Sequence, residues 1–451
     1  MPRVGIKKKV EVPMSEYMFK EYSRARLAEI ENEDSPAIPE ADEGKPFDLY
    51  AFTTKNKQTG FLSQSRAACN WVFPEEVPRP SMNAKEQAKL LGVEKEKIVA
   101  VDMIAEVEAE PEYEQAAVED KVAVADEVVK PEQTALDARL AGILGTLMSG
   151  LEAKGDEYLN KGLEQFSPKY AEMIKLIRQS YGPALVYSQF KRLEGLGIFA
   201  AALRASDEHY LPLDIQKVGG AWEIPVELMV ADRPRYIMYT GDQDREKRRL
   251  LLQLYNADLE ELPPKLAAQC RELLGGSAGS EPATDNRDGR VCRVFMITQS
   301  GAEGISLSNT RQVHIMEPYW NNVRLQQVIG RAIRLCSHMN LPWDDRVVDI
   351  FTYLSVFSPT QKAEGSKQLM TADKGKTTDE MIYEIAEKKQ VLADGLSDII
   401  QSAAVDCQLH YHEHGEKTQC YTFKEGARPL FMYHPNWRKD SGEAVRAAAG
   451  V

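Results

Sequence analysis

What this sequence lacks narrows its role before any residue is singled out. No apolar run in its 451 residues approaches the roughly 18 that a membrane-spanning helix requires, so no membrane partner is expected. No apolar stretch follows the basic start MPRVGIKKKVEV, which therefore reads as a short basic strand or arm rather than a secretory leader. Cysteine is scarce. Cys69, Cys270, Cys292, Cys336, Cys407 and Cys420 are scattered without a repeated spacing, so reduced thiols in a soluble, intracellular protein are the expectation. A basic balance is missing too: the formal net charge is −13, which excludes a protein that simply coats nucleic acid. Much of that deficit is local, because Met103–Glu127 carries nine acids and one lysine. There is no internal repeat. Also absent is G-x-x-x-x-G-K-[ST], the loop whose backbone amides cradle nucleotide phosphates. Gly375-Lys376-Thr377 is the only Gly-Lys-Thr, and Met370 stands where the first glycine belongs. It reads as a loop entering the helix TTDEMIYEIAEKK, and a self-sufficient nucleotide hydrolase is thereby disfavoured.

The 451 residues that are present are enough for two or three domains, and the 43% of them that are hydrophobic are enough for a sizeable core. Pro13–Ile30 has helical spacing through Met14, Tyr17, Met18, Tyr22 and Leu27. SRAACNWVFP is apolar and aromatic. The stretch from residue 81 to about 135 is rich in Ala, Val and Glu, and reads as an acidic linker or insertion. Helical patterns return after Leu136, and Ser167-Pro168 is a helix start, with serine as cap and proline in the first turn. Strands and helices then alternate. Strands are expected at Ala184–Tyr187, Tyr236–Tyr239, Cys292–Thr298, Arg311–Met316 and within Arg346–Phe357. Helices are expected at Leu193–Leu203, Asp244–Tyr255 and Asn321–Arg334. Such alternation predicts an α/β domain with a parallel sheet, whose ligands sit at the carboxyl ends of the strands.

The densest signal is VFMITQSGAEGISLSNTRQVHIMEPYWNNVRLQQVIGRAIR, Val294–Arg334. A buried strand ends at Thr298 and opens a loop with Gly301 and Gly304. Glycine lets backbone approach a ligand closely, and amides with nearby hydroxyls suit a phosphate. A second strand leads through Glu317-Pro318 to a helix carrying Gln327, Arg331 and Arg334. Their spacing of four and three places them on one face, as a guanidinium fork for a polyphosphate.

This block resembles motifs V and VI of superfamily 2 helicases: ITQSGAEGISL for the first, QVIGRAIR for the second. EPYWN is similar to the connecting segment of chromatin-remodelling members. The run SPKYAEMIKLI, VYSQFKRLEGLGIF, QVIGRAIRLCSH, KTTDEMIYEIAEKK, SAAVDCQLH resembles helicases of large double-stranded-DNA viruses. In kind it is nearest the poxvirus early-transcription-factor small subunit and nucleoside triphosphatase I. The likeness covers roughly Ser167 to Tyr421. It implies a RecA-like helicase C-terminal domain over 136–400, an inter-domain joining segment over 1–80 and a tail over 401–451. It further implies ATP with Mg2+ as cofactor, held mainly by a first RecA-like domain supplied by another chain. In that reading Arg331 and Arg334 reach the nucleotide, Arg334 as arginine finger, and Gln327 couples it to domain closure. Glu303 and Gly304 lie near the nucleotide. Thr298, Ser300 and Gly301, with Ser188 and Gln189 after the first strand, touch the nucleic-acid backbone. The strand would be DNA, with RNA as the alternative, and viral RNA polymerase is an implied partner in a viral factory or virion.

The pattern departs from a complete helicase in two places. The phosphate loop is absent, and Asp207-Glu208-His209 follows a helix, so it reads as a polar turn rather than the carboxylate pair that ends a strand. These motifs alone are expected not to hydrolyse ATP. A non-catalytic DNA-binding or scaffold remnant is the competing expectation. Cys407, His410, His412, His414 and Cys420 lack the paired spacing of a zinc finger and read as surface, with no metal site expected.

Overall fold

The computed structural model describes residues 1–31, 62–79, 130–230, 233–241, 243–275, 283–298, 304–404, 406–407, 420, 422–423 and 430–431. The expected acidic linker lies outside these residues as far as position 129. The chain forms two compact units: Met1–Pro318 with Val323–Ile382, and Tyr319–Asn322 with Tyr383–Val451.

The chain opens with β1 (Arg3–Pro13), α1 (Glu16–Glu31), α2 (Ser63–Asn70) and α3 (Lys130–Ala153). Next come α4 (Leu163–Phe166), α5 (Pro168–Arg178), β2 (Ala184–Tyr187), α6 (Leu196–Ala205) and β3 (Leu211–Pro212). A small hairpin, β4 (Gln216–Val218) and β5 (Ala221–Glu223), precedes β6 (Arg235–Tyr239), α7 (Arg245–Asn256) and α8 (Pro264–Gly275). The next elements are β7 (Val294–Ile297), β8 (Gln312–Ile315), α9 (Asn322–Ala332) and β9 (Val347–Val356). After them come α10 (Pro359–Glu364), α11 (Lys367–Ala372) and α12 (Thr378–Ala403).

Seven strands make one sheet in the order β1-β9-β8-β2-β7-β6-β3, and every neighbouring pair is parallel. Residues of β2, β7 and β8 are buried throughout, as both faces of a parallel sheet require. The expected RecA-like α/β class holds: a parallel sheet flanked by helices.

Residues 1–31 and 62–79, part of the stretch 1–80 set apart in the sequence as a joining segment, contribute to this same unit. β1 pairs with β9 from Arg3↔Val347 to Pro13↔Val356, so the basic N-terminal arm is the sheet's edge strand. Its outward lysines, Lys7, Lys8 and Lys9, discourage pairing with another chain. Met18 and Tyr22 of α1 are fully buried, and Tyr22 meets the Phe357 ring at 5.6 Å. Trp71 stacks on Tyr170 at 6.1 Å and packs on Phe166 at 5.7 Å. Ser167 caps α5 as expected, accepting from Tyr170 N at 3.1 Å.

Two helices differ from the sequence reading. α6 begins at Leu196 rather than Leu193, because the chain first closes a turn in which Leu196 N donates to Phe190 O at 3.0 Å. A Cβ on Gly195 would lie 1.8 Å from that oxygen, so this close approach needs glycine. α9 ends at Ala332, not Arg334. Cys336 adopts φ 66°, and the Ser337 hydroxyl donates to Ala332 O (3.2 Å) and Arg334 O (2.9 Å), which stops the helix. Arg334 therefore sits in the turn after α9, and only Gln327 and Arg331 share a helical face.

In the second unit Cys407 and Cys420 form a disulfide, with Cα atoms 5.8 Å apart. This corrects the expectation of reduced thiols throughout; the two cysteines, 13 positions apart, were read with the histidines between them as surface rather than as a bonded pair. Cys69, Cys270, Cys292 and Cys336 are free. His410, His412 and His414 lie outside the described residues. Strands β10 (Thr422–Phe423) and β11 (Leu430–Phe431) pair antiparallel. Among the described residues no helix is long and apolar enough to cross a membrane.

Candidate nucleotide and nucleic-acid site

The site follows from strand register. Tyr187, Ile297 and Tyr239 are aligned across β2, β7 and β6. One step further, Ser188, Thr298 and Thr240 therefore lie side by side at the carboxyl edge, and all three are buried. Thr240 was not singled out from sequence; its signal is only that it follows YIMY as Thr298 follows VFMI. Ser300, Gly301 and Glu303 lie outside the described residues.

After β2 the backbone turns sharply over a buried carboxylate, Glu317, which directly follows β8 and Met316. Glu317 accepts from Ser188 Oγ at 3.0 and 3.1 Å, from Gln189 N at 2.5 Å and from Asn70 Nδ2 at 3.1 Å. Ser188 Oγ in turn accepts from Phe190 N at 3.1 Å. The Ser188 hydroxyl is thus committed within the protein. Gln189 Oε1 accepts from Arg66 at 2.8 Å, whereas Gln189 Nε2, buried, has no hydrogen-bond partner among the described residues. Burial pushes the Glu317 carboxyl above the usual carboxylate range, against the opposing pull of Gln189 N, Lys169 and Arg66.

Glu317 belongs to a larger buried network. Asn70 Oδ1 accepts from Lys169 Nζ at 2.9 Å, and Lys169 Nζ also meets Asp379 Oδ2 at 2.7 Å. Asp379 accepts from Ser355 N at 2.9 Å. Arg66, Lys169, Asp379 and Glu317 thus bring two positive and two negative groups into the interior, each 4% exposed or less. Buried ions persist when each is paired and hydrogen-bonded, and removing one member leaves another unmatched.

The loop after β7 runs against the segment after α9. Leu307 N donates to Arg331 O at 3.0 Å, and Asn309 N to Ser337 O at 3.0 Å. The Arg334 guanidinium donates to Ser306 Oγ at 2.5 Å. From behind, Asn256 Nδ2 donates to Ser306 O (3.1 Å), Ser308 N donates to Asn256 Oδ1 (2.9 Å) and Tyr255 shares a hydrogen bond with Thr310 (2.7 Å). His338 closes the group on Thr310 O at 2.7 Å. Gly304, at φ +71°, has a backbone conformation that L side chains rarely adopt. The two candidate motifs are therefore joined physically. The Arg331 backbone and the Arg334 side chain meet this loop at Leu307 and Ser306; Gln327 lies exposed on α9, and Ser188, Gln189 and Thr298 lie at the strand ends. Sequence reading did not find Ser306, Glu317, Asn70 or Asn256 as parts of this arrangement.

The charged donor at this contact is the Arg334 guanidinium, a group that fits the oxygens of a polyphosphate, while the N–H groups of Leu307, Ser308 and Asn309 are spent within the protein. No group of three metal-ligating side chains occurs among the described residues.

No protein-family profile matches the chain. It is 30% identical over 337 residues to the termination factor NPH-I homolog of African swine fever virus (isolate Tick/Malawi/Lil 20-1/1983), covering 67% of this chain and 42% of that protein. It is 36% identical over 170 residues to "Putative ATP-dependent RNA helicase R350" of Acanthamoeba polyphaga mimivirus, covering 37% of this chain and 20% of that protein. The chain thus spans less than half the length of these relatives. Among solved structures, the C-terminal part of the Fun30 ATPase domain aligns at TM-score 0.38 and 13% identity, over 86% of this chain and 98% of that one. That likeness is too low to add to the topology itself. Sequence kinship to these viral proteins identifies the chain as a member of the superfamily 2 helicases of large double-stranded-DNA viruses, in their C-terminal half.

Proposed function

We propose that this chain is the second RecA-like half of an ATP-driven DNA translocase acting in viral transcription or genome handling. It contributes an arginine finger and backbone contacts to an active site completed by a first, phosphate-binding domain. The observation that carries this reading is the contact between the loop after β7 and the turn after α9, with Arg334 on Ser306. Loose arginines on a solvated helix would not be anchored to a glycine-bearing loop at the strand ends.

Bound ATP supplies the transferable γ-phosphoryl group. This chain's residues do the rest of their work by position. Arg334 exchanges the neutral Ser306 hydroxyl for an anionic phosphate oxygen, a stronger charge-assisted partner. Its guanidinium then neutralises charge that grows as the phosphoryl group departs. Arg331 holds the same phosphate tail, and Gln327 faces the incoming domain. At the strand ends the Gln189 side-chain amide, Thr298 and the amides of Ser300 and Gly301 take the strand's backbone phosphates. Glu303 and Gly304 keep the loop close to the nucleotide. Ser188 acts through the turn it braces.

ATP turnover with and without DNA tests this, using the chain joined to or mixed with the phosphate-loop domain of its virus. The expected result is DNA-stimulated turnover that falls at least about a thousandfold with Arg334→Ala. DNA binding without turnover in any combination would instead make the chain a scaffold and overturn the proposal.

A further inference from the structure

We infer that Glu317 is a positioning residue for nucleic-acid binding: its buried carboxylate fixes the Ser188–Gln189 turn so that the Gln189 side-chain amide is the group presented to a phosphate. The inference rests on the nucleic-acid reading of this edge and deepens it. The hydrogen bonds define the division of labour. The Ser188 hydroxyl gives its proton to Glu317 and takes Phe190 N–H, so it has no further proton to offer. Gln189 N–H is also spent on Glu317, and Gln189 Oε1 on Arg66. One donor of the turn remains, Gln189 Nε2, buried and without a partner among the described residues. A buried amide N–H left unmade is costly, and an anionic oxygen at the strand ends would satisfy it.

Glu317 cannot be exchanged for its neutral isostere without consequence. A glutamine there keeps an oxygen for Ser188 and Gln189 N, but turns an NH2 toward Asn70 Nδ2, donor against donor. Asn70 cannot flip to accept it, because Asn70 Oδ1 already takes the Lys169 ammonium. The substitution therefore releases the turn. It also removes a negative charge from beside an anion's site, which by Coulomb's law alone would tighten DNA binding. Positioning and bulk electrostatics predict opposite signs.

The test is fluorescence anisotropy of the full chain with a labelled single-stranded DNA oligonucleotide, for wild type, Gln189→Ala, Glu317→Gln and the double variant, with thermal melting of each. Gln189→Ala is expected to weaken binding about tenfold, the loss of one hydrogen bond to a charged group. Glu317→Gln should weaken it by a similar factor, and the double variant should be no more than about twofold weaker than either single. If Glu317→Gln fails to fold, Ser188→Ala, which keeps all four buried charges, should show a loss of about fivefold that is again non-additive with Gln189→Ala. Loss with Gln189→Ala but unchanged, tighter or additive binding with Glu317→Gln overturns the positioning role and leaves the nucleic-acid site standing. No effect of Gln189→Ala overturns both.

Discussion

At the scale of single residues, the interior of this sheet sets protonation states by geometry. His314, in β8, is fully buried between Gln312 and Tyr353, and stacks on the Phe351 ring at 5.3 Å. Gln312 Oε1, 3.0 Å from Nε2, can only accept, so the ring proton sits on Nε2 and Nδ1 accepts from the Tyr353 hydroxyl at 2.8 Å. Burial pushes the imidazole pKa down to about 3. In the unfolded chain it returns to about 6.5. The unfolded state thus binds a proton below about pH 6.5 that the folded state refuses, and stability is lost as pH falls from there toward 3. One such proton gives a slope of about 1.4 kcal/mol per pH unit. Urea unfolding at pH 7, 6, 5 and 4.5 should show this slope in the wild type and a slope shallower by that amount in His314→Gln. Identical pH profiles would mean that the histidine is not the group being charged.

At the scale of elements, what was legible in the sequence was local. ALVY, YIMY and VFMI are short apolar runs between breakers, and each became a buried strand within a residue or two of its expected bounds. Ser167-Pro168 announced the start of α5 because a cap needs only its own neighbours. Ser167→Ala removes the cap to Tyr170 N and also the hydroxyl's bond to Asn70 O, at a cost of about 2 kcal/mol, measurable by chemical denaturation. A cost near zero would mean that another group takes over both bonds. The end of α9 was not legible, since Ala332 is an acceptable helix residue and Arg334 continues the spacing. The helix stops because Ser337 folds back on its carbonyls and Cys336 turns left-handed. Glu317 was hidden for the same kind of reason: Ser188 is 129 positions away and Asn70 is 247. The candidate site could be listed by type from the sequence, but which of its groups are spent on one another, such as the Ser188 hydroxyl on Glu317, required the fold.

At the scale of the whole molecule, a chain of net charge −13 that is read as gripping DNA must do so with few charges. The proposed contacts are a glutamine amide, the Thr298 hydroxyl and backbone N–H groups at the strand ends, all neutral. Arg66, close by, is matched within the buried quartet rather than offered to the strand. Each phosphate neutralised by a cation releases counterions and steepens the salt dependence, whereas a neutral hydrogen bond does so little. The dependence of log K on log salt should therefore be shallow, with a slope of about −1 to −2. Between 50 and 200 mM salt the affinity should fall by less than about twentyfold, instead of the thousandfold or more expected of a protein making many phosphate ion pairs. Anisotropy titrations of the full chain across that range decide it. A steep slope would place the grip on a distributed basic surface, the Arg3, Lys7, Lys8 and Lys9 edge of β1 being the first to substitute, and would remove the strand-end edge as the principal contact.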